Sequence, residues 1–419
     1  MTPVTTVSPL ETAPPAGSPA PATRPRVVYV THRVPYPPDK GDRIRNYHLL
    51  RQLARVADVS LACLADEPVD PGTVDVLGEL TTRQAIVPAS RVRRWVRAGL
   101  SLAVGRSLSE GAFYEPALAR VLDDWQRVQP AGAIVMSASS LVPYLRRTEL
   151  RTVPAFVDLV DVDSQKWADF AAASRGPKAI LYRLESSRLR KLETRLPARV
   201  RAVSLVSRAE ADVFEVFAGP ETATVATNGV DLTYFAPRAD AEEPVCAFVG
   251  ALDYLPNIDA AVWFAREVWP GILARNPGAE FQLIGRKPVR EVQALATLPG
   301  VRLVGQVPDV RPHVARAAVV VVPMRISRGL QNKVLEALAM GKATVVAPPA
   351  LAALKAETGR ELLTATTPSE WVEAVCLLLG DPGRRAAIGR AGRAYVERQH
   401  HWDRCLAPLT DRILAACRP

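Results

Sequence analysis

No cysteine pattern organises this sequence: Cys63, Cys246, Cys376, Cys405 and Cys417 are scattered over 419 residues without a CxxC or Cys/His spacing. That excludes a zinc centre or a disulfide framework and fits reduced thiols in the cytoplasm. There is no run of roughly 18 uncharged apolar residues, so no membrane-spanning helix is expected and any membrane contact is peripheral. The first 25 residues lack a basic region followed by an apolar one. Their Pro, Ala and Thr content predicts a disordered tail instead of a signal peptide. The stretch "HRVPYPPDKGDRIRN" after the first apolar run has no G-x-G-x-x-G, which argues against a dinucleotide enzyme. Net charge is +10, yet aromatics are not interleaved with the basic residues as stacking platforms, so nucleic acid is not the expected partner. Nucleotide phosphates and an acidic membrane surface remain.

What is present is a repeated alternation. The β-branched runs at 26–31, 58–65, 133–139, 153–160 and 202–207 read as buried strands. Amphipathic stretches such as 46–56 and 116–128 separate them as helices. A second series follows at 245–252, 280–285, 301–307, 318–323 and 343–348, with a long helix predicted over 257–276. The class is α/β, with two doubly wound Rossmann-like domains facing a central cleft. Residues 26–220 form the first and 245–395 the second, joined by an interdomain segment at 221–244. A C-terminal helix at 396–419 is expected to pack back on the first domain. A two-lobed solute-binding protein would share that shape but needs an export signal.

One segment concentrates polar chemistry. In "RISRGLQNKVLEALAMGK" (325–342), a loop leaves the strand "AVVVVP" and a helix follows. Val334, Leu335, Leu338 and Ala339 face inward and Gly341 lies near the stop. Backbone N–H groups around Gly329, Leu330, Gln331 and Asn332 have no partner within a helix that starts there, so they form an anion site. Arg325, Arg328 and Lys333 add positive charge, which suits a diphosphate. Glu336 lies one turn inside, and helical side chains lean toward the N-terminus, so its carboxylate reaches across that end to a diol such as ribose. The simpler alternative is a solvated helix start whose charges complement the dipole.

Over about residues 26–405 the chain resembles the retaining family 4 glycosyltransferases of the GT-B fold. The resemblance rests on "PPDKGDRIRNYHLLRQLA", "NGVDLTYFAP", "FVGALDYLPN", "GQVPDV" and "GLQNKVLEALAMGKATVVAP" in that order. "DLVDVDSQKW" and "SRGLQNKVLEALAMGK" look most like the sugar transferases of PEP-CTERM/exosortase exopolysaccharide loci. The resemblance implies a nucleotide-sugar donor on the C-terminal domain, a lipid-linked or oligosaccharide acceptor on the N-terminal one, and no separate cofactor. It places Glu336 on the donor ribose, Gly250, Gly305 and Val307 near the donor, and Gly41 beside the diphosphate. Gly41 can approach closely because it has no side chain.

The departures carry information too. The family's helix has a second glutamate two turns earlier, where this chain has Arg328. The family's Arg and Lys after the first C-domain strand are replaced by Ala251 and, near the lysine slot, Pro256 and Asn257. Arg328, with Arg325 or Lys333, is expected to replace that charge. In "DLVDVDSQKW", Asp163 or Ser164 is expected to cap a helix starting at Gln165, leaving Asp161 facing the reacting sugar. Metal ligation by Asp161 and Asp163 is not expected. His32, ending the first strand, is the other catalytic candidate, whereas His48 is expected to be structural. The basic segments 90–106 and 175–201 suggest contact with an anionic membrane.

Overall fold

The structure is a computed structural model that describes residues 24–39, 41–327 and 329–417. Residues 1–23 of the Pro-rich segment, Lys40 and Arg328 lie outside the described residues. The chain divides into two compact units, one of residues 1–226 with 406–419, the other of residues 227–405.

The first unit is built on seven parallel strands, β1 (Arg26–Thr31), β2 (Asp58–Ala65), β3 (Arg83–Pro88), β4 (Ala133–Met136), β5 (Ala155–Val160), β6 (Ala202–Leu205) and β7 (Ala223–Val225). Their order across the sheet is β3-β2-β1-β4-β5-β6-β7. The central strands are buried along nearly their whole length, as parallel strands covered on both faces must be. β3 is flanked by polar residues, and β7 comes out of the stretch expected to be a linker. Both lie at or near sheet edges, where half-buried positions blur the apolar run.

The second unit carries β8 (Glu243–Val249), β9 (Glu280–Ile284), β10 (Val301–Gly305), β11 (Ala317–Val322), β12 (Thr344–Val346) and β13 (Leu363–Thr364) in the order β10-β9-β8-β11-β12-β13. All described pairings are parallel. The predicted long helix is interrupted: Leu255–Trp263 and Trp269–Arg275 are joined by a wide π turn over Phe264–Val268. Pro270 follows that turn and cannot donate to an i−4 carbonyl, which accounts for the local widening. The C-terminal helix Trp402–Ala416 begins in this unit and returns the chain to the first at Leu406.

A buried ion pair pins the centre of the first unit. Arg45, on the helix Gly41–Val56, donates from Nε and Nη2 to the two carboxylate oxygens of Asp158 on β5, at 2.7 and 2.8 Å. Ser204 Oγ donates to the same carboxylate at 2.7 Å, and both charged side chains are wholly buried. Removing one partner strands the other's charge. Arg45→Met alone should therefore cost about 3–5 kcal/mol, read as a lower urea midpoint. The double variant Arg45→Met/Asp158→Leu should lose clearly less than the sum of the two single changes.

Candidate functional site

In both sheets the strand order reverses once, between β1 and β4 and between β8 and β11. At such a point the crossovers diverge and leave a crevice outside the carboxyl ends of the strands. His32 follows β1 at the first of these points, and Gly250 and Lys333 lie at the second, whereas Gly305 ends β10 and Asp161 follows β5, each two strands away.

In the second unit, β11 is apolar throughout and ends in a loop that turns at Gly329, where φ is +60°. The helix that follows is Asn332–Ala339, so it starts two residues later than the sequence predicts. Left-handed Gly329 and extended Gln331 (φ −90°, ψ 101°) account for the delay, leaving Gly329, Leu330 and Gln331 in the approach to the helix. Gln331 stands at the N-cap without capping by its side chain. Val334, Leu335, Ala337, Leu338 and Ala339 are buried against the unit, which fixes the opposite face of the helix at the crevice.

Lys333 reaches from this helix to the loop after β8. Its Nζ donates to Asn257 Oδ1 at 2.6 Å and lies 4.7 Å from the centre of the Phe248 ring. Asn257 is itself fixed, donating from Nδ2 to Ala251 O at 2.9 Å. Gly250 leaves the room this needs, because a Cβ there would sit 2.8 Å from Asn257 Nδ2 and 2.9 Å from Lys333 Nζ. Gly285 is needed for the same corner: its Cβ would fall 1.7 Å from Gly250 O. Gly305 ends β10 and accepts from Gly285 N at 2.8 Å, while Val307 packs on the cluster of Val245, Ala247, Ile284 and Ala317.

Glu336 stands one turn beyond Lys333, and both line a narrow recess with Phe235, Val249, Val310, Val320, Val322 and Met340. Burial in these apolar walls draws Lys333 down to about 7 and pushes Glu336 up to about 7, each shift restrained by the other's charge. Near neutral pH, small changes in local charge therefore decide the protonation of both groups. Arg325 is placed differently. It is half exposed, pairs with Asp259 at 2.5 Å and lies over the Trp263 ring. Of the three expected cations, Lys333 is the one the described structure places at the β8 loop; Arg328 lies outside the described residues.

The start of the helix is also braced from the rear. Asn332 Oδ1 accepts from Asn228 Nδ2 at 3.0 Å, and Asn228 O accepts from His400 Nδ1 at 2.9 Å. Sequence reasoning does not select Asn228, although the "NGVDLTYFAP" stretch contains it.

In the first unit, His32 and Ser137 follow β1 and β4 at the reversal, with His32 Nδ1 3.3 Å from Ser137 Oγ. His32 Nε2 lies 3.3 Å from Asp42 Oδ2. Burial opposes ionisation of Asp42, but the hydrogen bond and charge of His32, and then Arg33, hold its pKa well below the usual carboxylate range. Gly41 is the exposed first residue of the adjoining helix. Asp161 follows β5, two strands or ~10 Å from β1, and its charge favours the cationic form of Arg45.

The helix near Asp161 departs from expectation. It begins at Asp163 rather than Gln165, and its N-cap Val162 has no capping side chain. Remote carboxylates do that work: Val162 N donates to Glu210 Oε2 at 2.8 Å and Ser164 N to Glu193 Oε1 at 3.1 Å. Burial, with the nearby charge of Asp163, pushes Glu193 up to about 8. Asp163 itself accepts from Ser139 Oγ at 2.7 Å. His48 lies on the helix Gly41–Val56 and is buried.

Comparison with known proteins bears on the fold and on the second unit. Residues 243–381 match the family described as Glycosyl transferases group 1, a span that contains β8 to β13 and the Lys333 helix. Among solved structures, a sucrose-phosphate synthase from Thermosynechococcus elongatus is similar at 16% identity and a TM-score of 0.70, covering 94% of this chain and all of that one. HepE of Anabaena, in a crystal with UDP-glucose, is similar at 14% identity and 0.65, covering 93% of this chain and 99% of that one. An α,α-trehalose 6-phosphate synthase from Burkholderia multivorans gives 13% and 0.60, over 94% and 98%. No curated protein sequence matches the chain significantly. At these identities the likeness is one of fold: two Rossmann-like parallel-sheet units, as in GT-B glycosyltransferases.

The bracing of the site is testable by overpacking. A Cβ on Gly229 would lie 2.6 Å from Trp402 N and 2.7 Å from its Cα, and neither backbone atom can rotate away. Gly229→Ala should cost about 1–3 kcal/mol, seen as a lowered urea midpoint, and should displace Asn228 from Asn332.

Proposed function

We propose that the chain is a retaining, metal-independent hexosyltransferase that moves a sugar from a nucleotide-sugar donor to a lipid-linked saccharide. Its setting would be exopolysaccharide assembly, within the PEP-CTERM/exosortase-associated group of family 4, at the cytoplasmic face of a membrane. The supporting observation is Lys333, held over Gly250 at the strand-order reversal, with Glu336 one turn further along the same helix. That arrangement offers a cation and helix-start amides to a diphosphate and a carboxylate to the adjoining ribose. Lys333 takes the place of the cations missing from the loop after β8, and Arg328 is assigned as its partner. As the bond from the anomeric carbon to the diphosphate oxygen breaks, the acceptor oxygen bonds to that carbon from the same face, positive charge at Lys333 stabilises the leaving diphosphate, and the diphosphate accepts the proton of the acceptor hydroxyl. Asp161 faces the sugar. His32, already engaged with Asp42 and Ser137, holds the end of β1 beside Gly41.

Thermal-shift measurement with UDP- and GDP-sugars identifies the donor, and NMR of the product gives its anomeric configuration. Transfer to a lipid-linked saccharide with retention supports the reading; release of free sugar alone, or an inverted product, overturns it. Lys333→Met and Glu336→Ala should each weaken donor binding roughly 10- to 150-fold, the loss of a charge-assisted hydrogen bond of ~1.5–3 kcal/mol. Unchanged affinity in both sinks the assignment, and Arg328→Ala measures the second cation's share.

The pH dependence has a definite sign. Lys333 in the free protein is neutral above about 7, so diphosphate binding there requires proton uptake. Affinity for UDP should fall by up to about tenfold per pH unit above neutrality. Calorimetry in buffers of different ionisation enthalpy should detect that proton in the Glu336→Gln background, where the carboxyl next to it no longer titrates, and not in Glu336→Gln/Lys333→Met.

A further inference from the structure

The helix Arg91–Ala103 in the first unit is buried the wrong way round for an ordinary surface helix. Its inner face is small: Ala98 and Ser101 are its buried residues. They lie against the helix Leu108–Phe113 so closely that a Cβ on Gly111 would fall 2.3 Å from Arg97 O and 2.5 Å from Ser101 Cβ. Ser101 Oγ donates to Ser107 O at 2.7 Å, Arg94 stacks over Phe113, and Arg97 pairs with Glu115 at 2.7 Å. The large apolar residues point outward instead. Val92, Val96 and Leu100 recur every four residues as an exposed stripe at 73%, 58% and 64% accessibility, flanked by Trp95 at 65% and Val104 at 70%. Arg91, Arg93 and Arg106 are exposed around it.

We infer that this helix is the element by which the protein lies on an anionic lipid surface, with the Val92–Val96–Leu100 stripe in the acyl boundary and the outer arginines on headgroup phosphates. The inference deepens the membrane partner of the proposed function. A contiguous apolar stripe of this kind is rare on a surface that nothing covers. Among its possible covers, charge selects the bilayer. A second copy docking by two-fold symmetry would bring the same arginines face to face. Residues 1–23 offer a single acidic side chain, Glu11, against the exposed Arg91, Arg93 and Arg106, so they do not match the charge around the stripe. An anionic bilayer satisfies both parts at once, since it accepts apolar side chains beneath a negatively charged surface. Trp95 also suits the interfacial depth, where an amphipathic ring has one end apolar and the other wet.

The test is co-sedimentation of the full chain with phosphatidylcholine vesicles, with and without phosphatidylglycerol, in the absence of donor and acceptor. Failure here therefore leaves the glycosyl-transfer reading standing. Binding is expected only with phosphatidylglycerol and should weaken as salt is raised. Trp95→Ser/Leu100→Ser and Arg91→Glu/Arg93→Glu alter exposed side chains, so urea midpoints should be unchanged, while each pair should lower vesicle partitioning by about tenfold or more. No binding at low salt overturns the inference, as does binding that neither pair reduces. So does sedimentation showing a dimer that Trp95→Ser/Leu100→Ser dissolves.

Discussion

The reversal of strand order is the constraint on which the rest depends. Strands to one side of β8 are reached by crossovers running one way, and β11 to β13 by crossovers running the other. Right-handed crossovers then cover opposite faces of the sheet, and the loops leaving β8 and β11 part company. The opening is thus a consequence of topology before any side chain is chosen. Sequence decides what lines it. Gly250 and Gly285 let the backbone ends of β8 and β9 meet at atomic contact, which clears the space into which Lys333 extends.

Lys333 is an unusual choice of cation because the site has already removed much of its water. Its ammonium is held by the neutral Asn257 side chain, beside an aromatic ring, and the charge of Glu336 restrains the fall in its pKa. A neutral partner orients the ammonium without cancelling its charge. Arg325 shows the contrary case: its guanidinium is paired with Asp259, leaving less net positive charge for a ligand. An anion reaching Lys333 would relieve the cost of burial that draws its pKa down, so binding energy and protonation are linked at this residue.

Much of the architecture was legible because strands buried on both faces read as continuous apolar runs, as "RVVYVT" and "AAVVVV" do. β7 and β13, of three and two residues, are too short to give a period at all. The start of the Asn332 helix was displaced by backbone conformation at Gly329 and Gln331, which side-chain spacing does not report. The start at Asp163 differs from expectation for another reason: amides at this helix start are satisfied by Glu193 and Glu210, whose positions depend on the completed fold. Local capping rules see only neighbours in sequence. The same limit applies to the cations. That the 325–333 segment is basic is plain from its letters, but Arg325 is claimed by a carboxylate 66 residues away, and nothing local distinguishes it from Lys333.

The two reversal points share a pattern of strand order and differ in electrostatics. At the first, His32 meets Asp42 and Ser137, with Arg33 also paired to Asp42, so positive and negative groups balance within hydrogen-bond distance. Such a site can orient a neutral polyol but has little uncompensated charge to attract a diphosphate. At the second, a lysine held by an amide projects toward glycine backbone and the start of a helix. The helix dipole and the lysine have the same sign there, so their fields add. Duplicating a sheet topology therefore supplies two crevices that differ in what touches the cation: Arg33 is hydrogen-bonded directly to the Asp42 carboxylate, whereas Lys333 is hydrogen-bonded to the neutral Asn257 amide, with Glu336 one turn along its own helix.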